Sequence, residues 1–151
     1  MEEVKVLIVD DRDVIRDGLK LNFLRSTKIK VIGEASDGLE ALDMITKNHY
    51  DVVLMDINMP IMNGIDSTKK MIEIKPEIKV LANSFFVNAE YITEIVKSGA
   101  YGFIAKGEPI SSYEQAIVEV SNGSVFLSNQ IDFKIYEEVY NYLRTSYKIA
   151  T

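Results

Sequence analysis

Val52-Val53-Leu54-Met55-Asp56-Ile57-Asn58-Met59-Pro60 runs four apolar residues straight into an acid, and a proline breaks the run four residues later. A short apolar stretch bounded by a breaker predicts a strand buried on both faces. An aspartate that closes such a strand does no packing. It belongs at the carboxyl edge of the sheet, where open α/β folds place their chemistry.

Outward from this strand, the same pattern repeats on both sides. Residues 4–9 are apolar except for Lys5 and end in Asp10-Asp11-Arg12-Asp13; Ile15, Leu19 and Phe23 then recur at helical spacing. A second strand over 28–35 precedes a helix with Leu39, Leu42 and Ile45 on one side, ending near Asn48-His49. After the Asp56 strand, the loop Met59 to Gly64 opens a helix with Ile65, Thr68 and Ile72 inward, stopped by Pro76. A fourth strand starts at Ile78, runs to about Ala82 and leads into Asn83-Ser84-Phe85-Phe86. Its helix carries Ile92, Ile95 and Val96 and stops at Gly99. A fifth strand, 101–105, meets Lys106-Gly107, and a fifth helix from Ser111-Ser112 carries Tyr113, Ala116, Ile117 and Val120 to Asn122-Gly123. Strand–helix alternation repeated five times predicts a parallel sheet with helices on both faces, a doubly wound α/β domain. With the first strand near the centre, the crevice at the switch point lies between the ends of the first and third strands, at Asp10-Asp11 and Asp56. The remainder predicts a short extended piece at 124–128 and an amphipathic helix with Ile131, Ile135, Val139 and Tyr142. That helix balances Asp132, Glu137 and Glu138 against Lys134, Arg144 and Lys148.

Composition narrows the function. The 151 residues suit one domain with a short appendage, and 47% hydrophobic with 26% charged residues is enough for a core. A net charge of −6 disfavours direct binding of nucleic acid or an anionic membrane. Without cysteine there is no disulfide framework, thiolate metal site or thiol nucleophile. The acidic start Met1-Glu2-Glu3 does not resemble a signal peptide and no stretch is long enough to span a bilayer, so a cytoplasmic location is expected.

The strand ends gather Asp10, Asp11, Asp56, Ser84 and Lys106 at one edge. Three carboxylates in one crevice repel one another, and leaving them buried and unpaired is costly. A hard divalent cation with oxygen ligands relieves this, and Mg2+ takes one or two carboxylates while leaving room for a phosphoryl oxygen. Lys106 adds a second positive charge and Ser84 a donor. An ionised aspartate can itself attack phosphorus and form an acyl phosphate. Taken singly, each residue has an ordinary reading. Asp13 caps a helix, Ser84 is a turn hydroxyl, Phe103 is a core aromatic, His49 is a surface cap, and Met55, Met59 and Met62 pack.

Together these residues resemble the receiver domain of bacterial two-component response regulators, in its NarL/LuxR class. The resemblance rests on Val9-Asp10-Asp11, on Leu54-Met55-Asp56-Ile57-Asn58-Met59-Pro60 with Met62-Asn63-Gly64, on Ser84, and on Gly99-Ala100-Tyr101-Gly102-Phe103 leading to Lys106. Ser84 and Lys106 stand 28 and 50 residues beyond Asp56 (84 − 56 and 106 − 56), which suits that class. The resemblance implies a flavodoxin-like (βα)5 fold with a five-stranded sheet in the order 2-1-3-4-5 and an extra C-terminal helix. It divides the chain into a receiver over 1–128 and a helix or linker over 129–151, the usual helix-turn-helix output domain being absent. Asp56 takes a phosphoryl group from a sensor histidine kinase, and Asp10, Asp11, Asp56 and the backbone carbonyl of Asn58 hold Mg2+. Ser84 swings to the phosphoryl group, Lys106 pairs with it, and Phe103 turns into the space Ser84 vacates. The domain then catalyses its own Mg2+-dependent phosphorylation and slow dephosphorylation. It controls transcription, touching DNA only through the missing domain. A homodimer is admitted through either the fourth-helix/fifth-strand or the first-helix/fifth-helix face.

The chain departs from the pattern at Phe85, where a small residue is usual. A ring there narrows access to Asp56 and predicts a slowly decaying acyl phosphate. Asn83 stands where an apolar residue is expected. The missing output domain leaves two expectations, a regulator cut after its receiver or a stand-alone receiver, with Tyr136, Tyr140, Tyr142 and Tyr147 opening a linker or an oligomerising helix. Other classes fit less well. A haloacid-dehalogenase-type phosphatase needs a general acid where Asn58 stands, and a nucleotide carrier needs a phosphate-cradling loop where Asp10-Asp11-Arg12-Asp13 stands. A pseudo-receiver acting by protein contact alone remains the alternative.

Overall fold

A computed structural model describes residues 2–128 and 131–147. The elements alternate β1 (Val4–Val9), α1 (Asp13–Phe23), β2 (Ile29–Ala35), α2 (Gly38–Lys47), β3 (Val52–Asp56), α3 (Gly64–Ile74), β4 (Lys79–Ser84), α4 (Ala89–Lys97), β5 (Gly102–Ala105) and α5 (Ile110–Ser121). Two more follow, β6 (Phe126–Leu127) and α6 (Phe133–Tyr147). All strand pairs are parallel and the order is β2-β1-β3-β4-β5-β6. The doubly wound fold and the 2-1-3-4-5 order follow the sequence reading. The extended piece at 124–128 adds a sixth strand, because Phe126 and Leu127 pair with Gly102 and Phe103. Gly102 permits that approach: a β-carbon on it would stand 2.3 Å from the Phe126 carbonyl oxygen.

The central strand β3 is buried along its whole length, as its unbroken apolar run requires. Alternation along the strands splits the core into two layers. Val53 and Met55 face α2, α3 and α4 with Ala82 and Phe103, whereas Val52 and Leu54 face α1 and α5 with Leu81 and Ile104. Three helices start on asparagine or aspartate caps: Asp37, Asn63 and Asn88 each accept from the backbone N–H three residues on.

Four details differ from the periodicity. Leu39 is 52% exposed, and α2 buries Gly38, Ala41 and Ile45 instead; Gly38 lies so close to the loop after β3 that a β-carbon on it would stand 2.9 Å from the Met62 carbonyl oxygen. In α3 Thr68 is buried as expected, but its buried companions are Gly64, Ser67 and Met71, whereas Ile65 and Ile72 are only partly buried. A register shift beside Val6 leaves Ile32 without a strand partner and half-exposed. Arg12, not Asp13, is the N-cap of α1, and Asp13 is its first residue, paired with Arg16. His49 is a surface residue whose Nε2 faces Asp51 Oδ1 at 3.0 Å.

The C-terminal helix docks on this domain. Val139 and Leu143 of α6, with Ile131 before it, are buried in the same layer as Ile92, Ile95 and Val96 of α4. Each such side chain contributes roughly 1.5–3 kcal/mol on burial. Tyr136 and Tyr140 stack in parallel, with ring centroids 6.0 Å apart, against the same core. The side chain of Tyr147, and Lys148, lie outside the described residues.

Candidate functional site

The carboxyl edge of the sheet brings Asp10, Asp11, Asp56, Ser84 and Lys106 together. Asp10 follows β1, and its N–H donates to the Ala35 carbonyl of β2 at 3.1 Å. Two arginines fix it further. The Arg12 N–H donates to Asp10 Oδ1 at 2.9 Å, and Arg16 Nη1 donates to the Asp10 carbonyl at 2.6 Å. Arg16 is itself held by Glu34 of β2 at 2.9 Å. Asp56 closes β3. Gly64 lets α3 fold back beneath it: the Gly64 N–H donates to the Ile57 carbonyl at 2.8 Å, and a β-carbon there would fall 2.4 Å from the Asp56 carbonyl oxygen.

Lys106 ties the two acids. Its N–H donates to the Ser84 carbonyl at 2.9 Å, which sets its root beside β4. Its Nζ then donates to Asp10 Oδ2 and Asp56 Oδ1, both at 2.9 Å. Asp10 and Asp56 are 2% and 4% exposed, so this is a buried acid–lysine–acid bridge. Asp11 is exposed, and its carboxylate completes a cluster whose oxygens lie within 4.8 Å of one another. One buried ammonium faces three carboxylates. Burial accordingly pushes the Asp56 carboxyl up to about 6, against the downward pull of Lys106, with Asp10 and Asp11 adding to the rise. An all-oxygen set with excess negative charge fits a hard divalent cation.

Ser84 is buried, and its Oγ accepts from the Phe86 N–H at 3.1 Å. Phe103, on the neighbouring strand, is fully buried in the layer that faces α4. Phe85 is 61% exposed and lies beside the cations of the site: Lys106 Nζ stands 5.5 Å and the Arg12 guanidinium 5.6 Å from its ring centroid. Asn58 is exposed in the loop after β3. Asn83 is a satisfied buried amide; its Nδ2 donates to the Ile104 carbonyl at 3.1 Å and to the Tyr113 hydroxyl of α5 at 2.9 Å. That long-range partner explains a polar residue at an apolar position.

Sequence reasoning missed three residues. Arg12 caps α1 and Arg16 stands in its first turn, and nothing in their spacing distinguishes them from solvated charges. Tyr91, in the first turn of α4, reaches across to Asn58: its hydroxyl donates to Asn58 Oδ1 at 2.5 Å. It carries no periodic signal either.

A family model described as the response regulator receiver domain matches residues 6–118. The chain belongs to that family, and its relatives are NarL/LuxR-class regulators. Response regulator GacA of Pseudomonas syringae pv. syringae is 36% identical over 128 residues, which cover 85% of this chain and 60% of that protein. The signal receiver domain of NarL from Mycobacterium tuberculosis is 28% identical, with a TM-score of 0.77 over 82% of this chain and 99% of that one. A chain of the CheX–CheY–BeF3–Mg2+ complex of Borrelia burgdorferi is 29% identical, with a TM-score of 0.70 over 77% and 87% of the two chains. The chain spans about three-fifths of the length of the first curated relatives it matches. No helix among the described residues is long and apolar enough to cross a membrane.

Proposed function

We propose that Asp56 is the phosphoacceptor of a two-component phosphorelay and that its donor is a phosphohistidine on a sensor kinase. The observation that carries this reading is the Lys106 bridge, 2.9 Å from both Asp10 and Asp56, beside a third carboxylate. A carboxylate oxygen of Asp56 attacks phosphorus; the new P–O bond forms as the P–N bond to the imidazole breaks, and the imidazole leaves with its electron pair. Asp10, Asp11, Asp56 and the backbone carbonyl of Asn58 would hold Mg2+. Bound there, the ion supplies charge neutralisation for the transferring group. Lys106 offers its ammonium to the incoming phosphoryl oxygens, and Ser84 offers its hydroxyl. Phe103 follows Ser84 by repacking within its layer, which biases α4 and with it the docked α6. In a longer regulator that shift would reach a DNA-binding output domain and control transcription, in the cytoplasm.

The test is intact mass after exposure to acetyl phosphate, with and without Mg2+, beside Asp56→Asn. One phosphoryl group added only with Mg2+, and absent from the variant, is the expected result. An unmodified wild-type chain sinks the reading and leaves a pseudo-receiver that acts by contact alone.

Phe85 sets the lifetime of the product. Its ring flanks Lys106 and Arg12 at the mouth of the crevice, so it hinders water as well as donor. Phe85→Ala is expected to shorten the acyl phosphate half-life severalfold, read as phosphate release after the donor is removed. An equal or longer half-life in the variant removes Phe85 as a shield.

A further inference from the structure

Helix α4 begins at an Asn88 cap, which accepts from the Tyr91 N–H at 2.9 Å. This fixes the backbone of Tyr91 in the first turn, on the side facing the sheet edge. The ring stands edge-on to Phe86, centroids 5.8 Å apart at 64°, and is half-buried. From there its hydroxyl crosses to Asn58, 33 residues earlier in the chain, and donates to Oδ1 at 2.5 Å. One tyrosine thus joins α4 to the loop after the acceptor strand. On its other side α4 packs against α6, through the layer that contains Val139 and Leu143.

We propose that Tyr91 is a positioning residue that tethers α4 to the acceptor loop while Asp56 is unmodified, so that loading of Asp56 and release of α4 are coupled through the Tyr91–Asn58 hydrogen bond. The inference rests on Asp56 being the acceptor. A phosphoryl group on Asp56 brings three acceptor oxygens into the space bounded by Asn58 and Ser84. Ser84, whose Oγ accepts from the Phe86 N–H at 3.1 Å, must turn to donate to one of them, which disturbs Phe86, the ring against which Tyr91 packs. The Tyr91–Asn58 bond is short but partly solvated, and a single such bond is weak enough to break on loading. In the resting state it opposes loading by the same amount that loading weakens it, since the coupling is reciprocal.

Tyr91→Phe keeps the ring and its contact with Phe86 and deletes only the hydroxyl. Beryllofluoride with Mg2+ serves as the phosphoryl probe, titrated into the full chain by calorimetry, with amide exchange over residues 89–97 as a second readout. The variant is expected to bind the probe about two- to tenfold more tightly, the range one hydrogen bond covers, and its α4 amides to exchange faster before the probe is added. Asn58→Ala, which leaves the backbone carbonyl in place, is expected to do the same, and the double variant to add little to either single one. Unchanged or weaker binding by Tyr91→Phe, or additive effects in the double variant, overturns the tether. If the wild-type chain binds no beryllofluoride, the acceptor reading fails and this inference with it; if it binds and Tyr91→Phe matches it, only the tether fails.

Discussion

Replacing Asp56 with asparagine is expected to abolish phosphorylation and, in the absence of divalent cation, to make the protein more stable. The two effects have one cause. Asp56 is 4% exposed, shares Lys106 with Asp10, and titrates at about 6 instead of at the ordinary 3.8. Below 3.8 the carboxyl is protonated in both folded and unfolded chains and costs nothing. Between 3.8 and about 6 the folded state binds the extra proton, so stability falls as pH rises through that window. Above about 6 the full penalty is present, of the order of 1–3 kcal/mol given the size of such a shift. The asparagine amide carries no charge, leaves Lys106 and Asp10 as a one-to-one pair, and escapes the penalty. At pH 7.5 without Mg2+ the variant is expected to gain about 1–3 kcal/mol, or roughly 3–10 °C of Tm for a chain of this size. At pH 3.5 the gain is expected to vanish. Mg2+ is expected to narrow the difference at pH 7.5 from the other side, since a cation that binds the folded wild type stabilises it by mass action. Thermal melts of both proteins at the two pH values, with and without Mg2+, decide the matter. A gain of equal size at both pH values would mean that packing, not charge, sets the difference.

A buried acid that gives up this much stability breaks the local rule that buried charges are paired one to one. That breach made the site visible in the sequence. An aspartate after four apolar residues cannot be packing, and Asp10-Asp11 after another apolar run repeats the anomaly. Lys106 after residues 101–105 completes the set. The sheet was legible for the same reason: residues 52–55 and 80–82 are apolar without alternation, which only a strand buried on both faces requires. Positions set by long-range packing were not legible. Tyr91 stands next to the apolar stripe of α4, and its reach to Asn58 depends on the angle at which α4 leaves its Asn88 cap. Asn83 reads as a misfit until the strand order places Tyr113 of α5 above it. The two residues of β6 are too few to carry a period, and their pairing depends on Gly102 offering bare backbone. The apolar face of α6 announced a helix with a partner, but periodicity contains no information about which surface that partner is. Leu39 shows the converse: an apolar residue at helical spacing points outward because Gly38 beside it takes the close contact with Met62.

Lys106→Met is expected to have the larger cost, and its dependence on conditions identifies the cause. Methionine nearly preserves the volume and reach of lysine, so the packing around residue 106 changes little. What goes is the single ammonium that stands 2.9 Å from each of two buried carboxylates. Removing one partner of a buried ionic group typically costs about 3–5 kcal/mol because the charge left behind is uncompensated. Here two acids remain face to face. Their cheapest escape is for one to take up a proton, and Asp56, already at about 6, loses the one neighbour that lowers it. Its titration therefore moves up, and the window over which stability falls with rising pH extends above 6. Urea unfolding without divalent cation is expected to find the variant about 3–5 kcal/mol less stable than wild type at pH 8 and within roughly 1–2 kcal/mol at pH 5, where the shared proton is present. Mg2+ at millimolar concentration is expected to recover much of the loss at pH 8, since Asp10, Asp11 and Asp56 then have a cation between them whether or not Lys106 is present. Phosphorylation from acetyl phosphate is expected to remain far below wild type even with Mg2+, because on the proposed reading the ammonium would meet the phosphoryl oxygens and the ion does not replace it. A loss independent of pH and of Mg2+ would assign Lys106 to packing between β5 and β1 and remove it from the charge balance of the site.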